Sequence, residues 1–374
     1  MHTVNNLFEK ICTKENIILA IHKAARGKHR KRIVQQTLAN EEAIAERLLQ
    51  HLKDGSWRPN SIHNVKVIND GIQMKKREIV CPDFVNEQVV HHAILNICAP
   101  VFMRRFYKYS CASIPERGVE YAIKYIRKAV ADRKNSKYFA VLDLKQFFNS
   151  IKPSKVFRAI RHIIRDKRVL ILFAKILRAN KIVRPDKNRI KRGTPIGLYT
   201  SPWFANILLT GLDNLIKSSG AKYYIRYNDD MLILHPNKRK LKRILETTEQ
   251  YINSLGLLLK RPWQIHILSK VKINFIGATI SQKNIVLRSS VFLRAKRTAN
   301  RIAKKHMATI YDARKLISYS GRFKHFDTHK AFTKYISSKI NMKTMRNIIS
   351  KGDRKNVHPK SKQNKATCSR KYRQ

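Results

Sequence analysis

Tyr223-Tyr224-Ile225-Arg226-Tyr227-Asn228-Asp229-Asp230-Met231-Leu232-Ile233-Leu234 reads as two apolar strands joined by a polar turn that carries two adjacent carboxylates. At the tip of a buried hairpin such a turn is unfavourable unless a cation offsets the like charges. A third carboxylate, Asp143, ends another strand-like run that begins at Tyr138. Three aspartates at two strand ends are the minimum kit for two-metal phosphoryl or nucleotidyl transfer. Each piece has a plainer reading: Asp-Asp in a turn is often only a turn, and an Asp at a strand end is often a helix cap.

Charge is the compositional outlier. Among 374 residues, 79 Lys and Arg face 24 Asp and Glu, a net charge of +55. A field of that size repels the chain from itself, and a polyanionic partner explains it through counterion release at phosphates. A ribosome-associated or histone-like protein fits the charge but not the 43% apolar content, which is enough for a sizeable core. The basic residues are dispersed, which disfavours a membrane surface, and no apolar run approaches the ~20 residues of a membrane span. Cys12, Cys81, Cys98, Cys111 and Cys368 are odd in number and widely spaced, without a CxxC pair. That pattern fits a reducing compartment rather than a disulfide or zinc framework. The N-terminus lacks signal-peptide form, so a cytoplasmic protein is expected.

The length implies two or three subdomains. The pattern predicts helices over 13–26, with Thr13 as cap, and near 40–53. A hairpin is expected over 62–80, turning at Asn69-Asp70-Gly71. One long helix is expected over 83–106, with His91 and His92 as structural or RNA-contacting residues, because neighbouring helical positions do not share a face. Helices are expected over 153–179, and a deeply buried one from Trp203 to Lys217 follows the loop Gly193–Pro202. Another is expected over 237–255, then short strands over 257–288, then a basic helical region to about residue 350. Residues 351–374 carry almost no large apolar side chains and are expected to form a disordered, RNA-attracted tail.

Taken together, order and spacing resemble the reverse transcriptases over nearly the full chain. Val141-Leu142-Asp143-Leu144-Lys145-Gln146-Phe147-Phe148 is similar to their first catalytic motif, and Tyr227-Asn228-Asp229-Asp230 to their Tyr-x-Asp-Asp box. Gly193 to Asn206, including Ser201-Pro202, resembles the segment that grips template and nucleotide. Leu255 to Lys260 resembles the next motif, Asn274-Phe275-Ile276-Gly277 the primer-grip hairpin, and Lys75, Arg77 and Ile79 the segment that holds the incoming triphosphate. The resemblance implies an α+β right-hand fold: fingers over 1–135, palm over 136–284, helical thumb over 285–350. It implies two Mg²⁺ ions, with Mn²⁺ a possible substitute, held by Asp143, Asp229, Asp230 and the Leu144 carbonyl. Lys75, Arg77, Phe148, Ile196 and Gly197 would meet the dNTP, with Phe148 excluding a 2′-hydroxyl and Phe147 simply packing. Arg117, Ser201, Tyr227, Phe275 and Gly277 would contact nucleic acid, and Lys260 would protonate the leaving pyrophosphate. The implied partners are template RNA, the RNA/cDNA hybrid and dNTPs.

Pro195-Ile196-Gly197 stands where many relatives read Pro-Gln-Gly. An isoleucine can pack but cannot hydrogen-bond near the incoming sugar, so selection of the correct pair is expected to loosen. In this, and in Val89 to Ile94, Ser110 to Gly118 and Ser318 to Gly321, the chain resembles the enzymes of diversity-generating retroelements. That resemblance implies cDNA with errors at template adenines (mutagenic retrohoming), a small homopentameric accessory protein, and a bacterial or phage origin. Ser201-Pro202 departs from that sub-family and resembles group II intron and retron enzymes instead. A phage-defence enzyme and a catalytically silent RNA-binding scaffold are the other readings.

Overall fold

The computed structural model describes residues 4–60, 63–70, 75–179, 181–183, 190–192 and 194–355. In chain order its strands are β1 (Asn64–Asp70), β2 (Lys75–Cys81), β3 (Ser110–Cys111), β4 (Tyr138–Asp143), β5 (Lys181–Val183), β6 (Ile190–Arg192), β7 (Tyr223–Tyr227), β8 (Asp230–His235), β9 (His266–Ile267), β10 (Ile273–Phe275), β11 (Ala278–Ile280) and β12 (Ile285–Leu287). Contacts divide the chain into two compact units. One comprises Met1–Arg288 with His325–Asp327, the other Ser289–Lys324 with Thr328–Gln374.

The first unit is built on a five-stranded sheet in the order β3-β7-β8-β4-β9. β8 pairs antiparallel with both β7 and β4, so it is the central strand. Met231, Leu232, Ile233 and Leu234 are all buried, as expected for a central strand covered on both faces. The helix Lys238–Ser254 packs on β4 and β8, and the helices Ser201–Ser218 and Val119–Ala131 pack on β7. Ser201–Ser218 carries Trp203, Phe204, Ile207, Leu208, Leu209, Leu212 and Ile216 into the core, which explains its apolar character on most faces. β10, β11 and β12 form a separate antiparallel sheet.

Several elements differ from expectation. Thr13 does cap Lys14–Ala25, its hydroxyl accepting from the Asn16 amide at 3.2 Å. The basic stretch that follows, however, leads into a further helix, Arg32–Ala39. The β1–β2 register pairs Asn69 with Lys76 and Asp70 with Lys75, so both of these expected turn residues lie in the strand, while Gly71 lies outside the described residues. The long helix opens as a π-turn, Phe84–Val89, before the α-helix Val90–Met103. The cause is local: the Asp83 carboxylate caps the Asn86 amide at 2.6 Å, and buried Glu87 turns back to the Asp83 amide and to His63. His91 and His92 are both buried, and burial lowers them to about 3 and about 4, so both rings are neutral at pH 7. His91 packs in the core, whereas His92, though mostly buried, reaches the lining of a surface groove. A short hairpin, β5–β6, was not anticipated.

The second unit is helical: Ser289–Ala303, Ile310–Phe323, His329–Phe332 and Met342–Lys355, with a π-turn at Thr333–Ser337. Thr309 and Asp312 form a capping box, and the buried Asp312 carboxylate also accepts from Arg301 and Lys305. One acid thereby anchors two cations of a strongly basic module. Helix continues through residues 351–355 of the expected tail, and 356–374 lie outside the described residues. Among the described residues no helix is long and apolar enough to cross a membrane.

Candidate active site

Asp143 closes β4 and Asp230 opens β8, and the register makes them direct cross-strand partners. Like charges placed opposite each other in a ladder repel. Asp229 sits beside them in the turn that joins β7 to β8, where Asn228 takes a left-handed backbone at φ +55°. Asn tolerates that region better than most residues. The consequence is electrostatic: burial first, then Asp229 and Asp143, push the Asp230 carboxyl up to about 7. A carboxyl raised that far by burial and neighbouring carboxylates marks a site that favours a positive charge.

Lys260 and Arg288 both draw the Asp230 carboxyl down, and Lys260 also binds Asp143. The Lys260 amide donates to the Asp143 carbonyl at 2.8 Å, and its ammonium forms an ion pair with the Asp143 carboxylate. This follows from an antiparallel bridge between Leu144 and Leu259 that continues β4 past its last sheet residue. The flanking bonds use the carbonyls of Asp143 and Leu258. Leu144 itself is buried.

The donor set is all oxygen, which suits Mg²⁺ or Mn²⁺ rather than zinc. Among the described residues no three His, Cys, Asp or Glu groups form a ready-made metal cage.

A second group of site residues surrounds the loop before Ser201–Ser218. The Val80 amide at the end of β2 donates to the Ile196 carbonyl at 2.8 Å. Gly197 lies against the same strand: a Cβ there would stand 2.1 Å from the Val80 oxygen, at φ +123°. Gly197→Ala is therefore expected to cost about 2–3 kcal/mol and to undock the hairpin. Hydrogen exchange at the Val80 amide reads the effect; unchanged protection there would remove the contact from the account. The side chains of Lys75 and Arg77, on the same hairpin, lie outside the described residues. Phe147 is buried, whereas Phe148 is half-buried and its carbonyl accepts from the Thr194 amide at 2.9 Å. A groove of about 790 Å³ borders this loop, lined by Lys23, Arg26, Lys28, His92, Tyr199 and Trp203 among others, with no acidic residue in its lining. The His92 and Tyr199 rings stack with centroids 3.6 Å apart.

Two residues expected at the nucleic acid have buried side chains. Ser201 is buried and its hydroxyl donates to the Pro195 carbonyl at 2.6 Å, so it shapes the loop. Phe275 is buried within β10 and packs there. Gly277 follows Ile276 with both at positive φ, the I′ turn that closes the β10–β11 hairpin. Arg117 is half-buried and donates to the Tyr107 carbonyl at 3.0 Å, so part of its guanidinium braces the Ser110–Gly118 loop. Tyr227 pairs with Asp230 on one side and lies beside Cys111 on the other.

One group escaped the sequence reading. Arg226 and Asp213 form a fully buried ion pair directly behind the turn. The signal was present as a lone Arg in an apolar strand and a lone Asp in an apolar helix.

The sheet thus brings two carboxylates face to face at its strand ends, with Lys260 ion-paired to one of them. The chain belongs to the reverse transcriptase (RNA-dependent DNA polymerase) family, which it matches over residues 50–280. It is similar to the group II intron-encoded protein LtrA of Lactococcus lactis subsp. cremoris, with 26% identity over 184 residues, covering 49% of this chain and 30% of that protein. Protein YkfC of Escherichia coli is 25% identical over 188 residues, covering 50% of this chain and 48% of the relative. The chain thus spans less than half the length of these curated relatives. Among solved structures, apo telomerase from Candida tropicalis aligns at 13% identity with a TM-score of 0.49, covering 80% of this chain and 63% of that one.

Proposed function

We propose that the chain is an RNA-directed DNA polymerase that copies a structured template RNA into cDNA by two-metal nucleotidyl transfer. The observation that carries this reading is the cross-strand placement of Asp143 and Asp230, with Asp229 in the adjoining turn. Residues 1–135, 136–284 and 285–350 act as fingers, palm and thumb. Asp143, Asp229, Asp230 and the Leu144 carbonyl hold the cations. When bound, Mg²⁺ or Mn²⁺ supplies the charge that activates the primer 3′-hydroxyl and neutralises the leaving pyrophosphate. Lys260, ion-paired with Asp143, gives a proton to that leaving group. Lys75 and Arg77 meet the triphosphate, with Arg suited to a bidentate grip. Phe148 lies under the incoming sugar and Tyr227 beside the primer end. Arg117, Gly277 and the basic groove face the template RNA and the RNA/cDNA hybrid, where cations bind phosphate without reading sequence.

The finer proposal is an error-prone enzyme of a diversity-generating retroelement, acting in the cytoplasm with a small homopentameric accessory protein. Ile196 supports it, because its backbone docks the hairpin while its side chain offers no hydrogen bond to the nascent pair. Ile196→Gln is expected to lower misincorporation opposite template adenine roughly fivefold, the worth of one hydrogen bond. An unchanged error spectrum would take position 196 out of the explanation. A second reading, a group II intron-like enzyme, is supported by Ser201-Pro202 and by the similarity to LtrA.

The test is Mg²⁺-dependent cDNA synthesis on a primed RNA template, with Asp229→Ala as control and the products sequenced. Errors concentrated at template adenines support the retroelement reading, and accurate cDNA supports the intron-like one. No cDNA, even with the genomically neighbouring RNA and accessory protein added, overturns the polymerase reading in favour of a silent RNA-binding scaffold.

A further inference from the structure

Arg226 is completely buried, and so is its partner Asp213. Its Nε donates to Asp213 Oδ1 at 2.8 Å and its Nη2 to Asp213 Oδ2 at 2.7 Å, a bidentate fork. The other Nη2 bond reaches Ser110 Oγ at 3.1 Å. Nη1 donates to Asn206 Oδ1 at 2.9 Å and to the backbone carbonyl of Asn228 at 3.1 Å. A guanidinium has five N–H donors, and every one is engaged. Four bonds go to side chains of the surrounding core, from Ser201–Ser218 and β3. The fifth goes to the turn that presents Asp229 and Asp230. The Asn228 amide is held from the other side, by the Cys111 carbonyl at 3.4 Å.

We propose that Arg226 is a positioning residue of the polymerase site, using Asp213 as its anchor to hold the Asn228 carbonyl and so fix the turn that aims Asp229 and Asp230. The proposal rests on the polymerase reading above. Arg226 touches no reacting group; it acts through the peptide it grips. A turn with a left-handed residue and two mutually repelling carboxylates needs such an external clamp, because its own charges push it open. Lysine cannot replace the residue: its three donors on one nitrogen cannot serve Asp213 in a fork and also reach the turn.

The experiment compares wild type with Arg226→Lys, the apolar pair Arg226→Met with Asp213→Leu, and Tyr224→Phe. Tyr224 donates to Asp213 Oδ1 at 2.6 Å, and no hydrogen bond of its hydroxyl goes to the turn, so it reports loss of network stability alone. Two quantities are read: cDNA synthesis against Mg²⁺ concentration, and the Mg²⁺-induced rise in Tm without substrate. Arg226→Lys and the apolar pair are expected to lower kcat at least tenfold and to raise the Mg²⁺ half-saturation at least fivefold. The KM for dNTP is expected to stay within twofold. Tyr224→Phe is expected to melt earlier with the Mg²⁺ response of wild type. If Arg226→Lys does not fold, the apolar pair decides, because replacing a buried ion pair by packed apolar side chains preserves folding. Wild-type kcat and Mg²⁺ response in the apolar pair would overturn the proposal. If wild type binds Mg²⁺ but makes no cDNA, the polymerase reading fails. The Tm response of the apolar pair then still decides whether Arg226 aims the carboxylates.

Discussion

Asp230→Asn is expected to abolish cDNA synthesis, by about 10³-fold or more, while making the metal-free protein more stable. A rate loss of that size corresponds to about 4 kcal/mol of transition-state stabilisation. The gain in stability follows from the position of the carboxyl opposite Asp143 and beside Asp229, where burial and like charge push it up to about 7. The unfolded chain releases the same proton near the ordinary carboxylate value, about 3.9. Folding therefore takes up a proton between about pH 4 and pH 7, and wild-type stability falls as pH rises through that window. Asparagine keeps the shape and removes the charge, worth about 2 kcal/mol at pH 7.5 after solvent screening. Thermal melts with EDTA across pH 4–8 read the slope. Added Mg²⁺ is expected to raise the Tm of wild type, more at pH 8 than at pH 6, and to leave the variant nearly unmoved. Retention of cDNA synthesis within tenfold of wild type would remove Asp230 from the site.

The second large effect concerns stability alone. Asp213→Ala leaves the Arg226 guanidinium buried with no counter-charge, in a place where neither side chain is exposed at all. Breaking a buried pair from one side costs about 3–5 kcal/mol. Replacing both partners, Asp213→Leu with Arg226→Met, is expected to cost less than Asp213→Ala: no buried charge is left unpaired, although Tyr224, Ser110 and Asn206 lose hydrogen-bond partners. Urea unfolding separates the two. A cost under about 1 kcal/mol for Asp213→Ala would mean that water or a rearranged neighbour satisfies the guanidinium.

These effects differ in how far they could be read from the chain. The hairpin from Tyr223 to Leu234 was legible because apolar runs flank a polar turn. Asp143 was legible for the same reason, at the end of a buried run. The helix at Lys14–Ala25 announced itself through Thr13. Asn69 and Asp70 were misplaced in the turn because Asp70-Gly71 is a strong turn signal that the strand register overrides. Ser201 and Phe275 were assigned to nucleic acid from motif position, which carries no information on solvent access. Arg226 and Asp213 lie thirteen residues apart on different elements, and only the packing of Ser201–Ser218 on β7 brings their charges together. The π-turn at Phe84–Val89 depends on Glu87 turning back to Asp83 and His63, a preference no periodicity encodes.

The bond between the Val80 amide and the Ile196 carbonyl has a consequence for how such an enzyme can drift. The tie is made by the main chain, so any side chain at 196 leaves it intact. Gly197, by contrast, is pressed against Val80 and has no substitute. Neighbouring positions thus face opposite constraints: one is frozen by geometry, and the other can change its side chain and keep the tie. Single changes of side chain at 196 can therefore accumulate in a lineage without refolding the junction between β2 and the loop that precedes Ser201–Ser218.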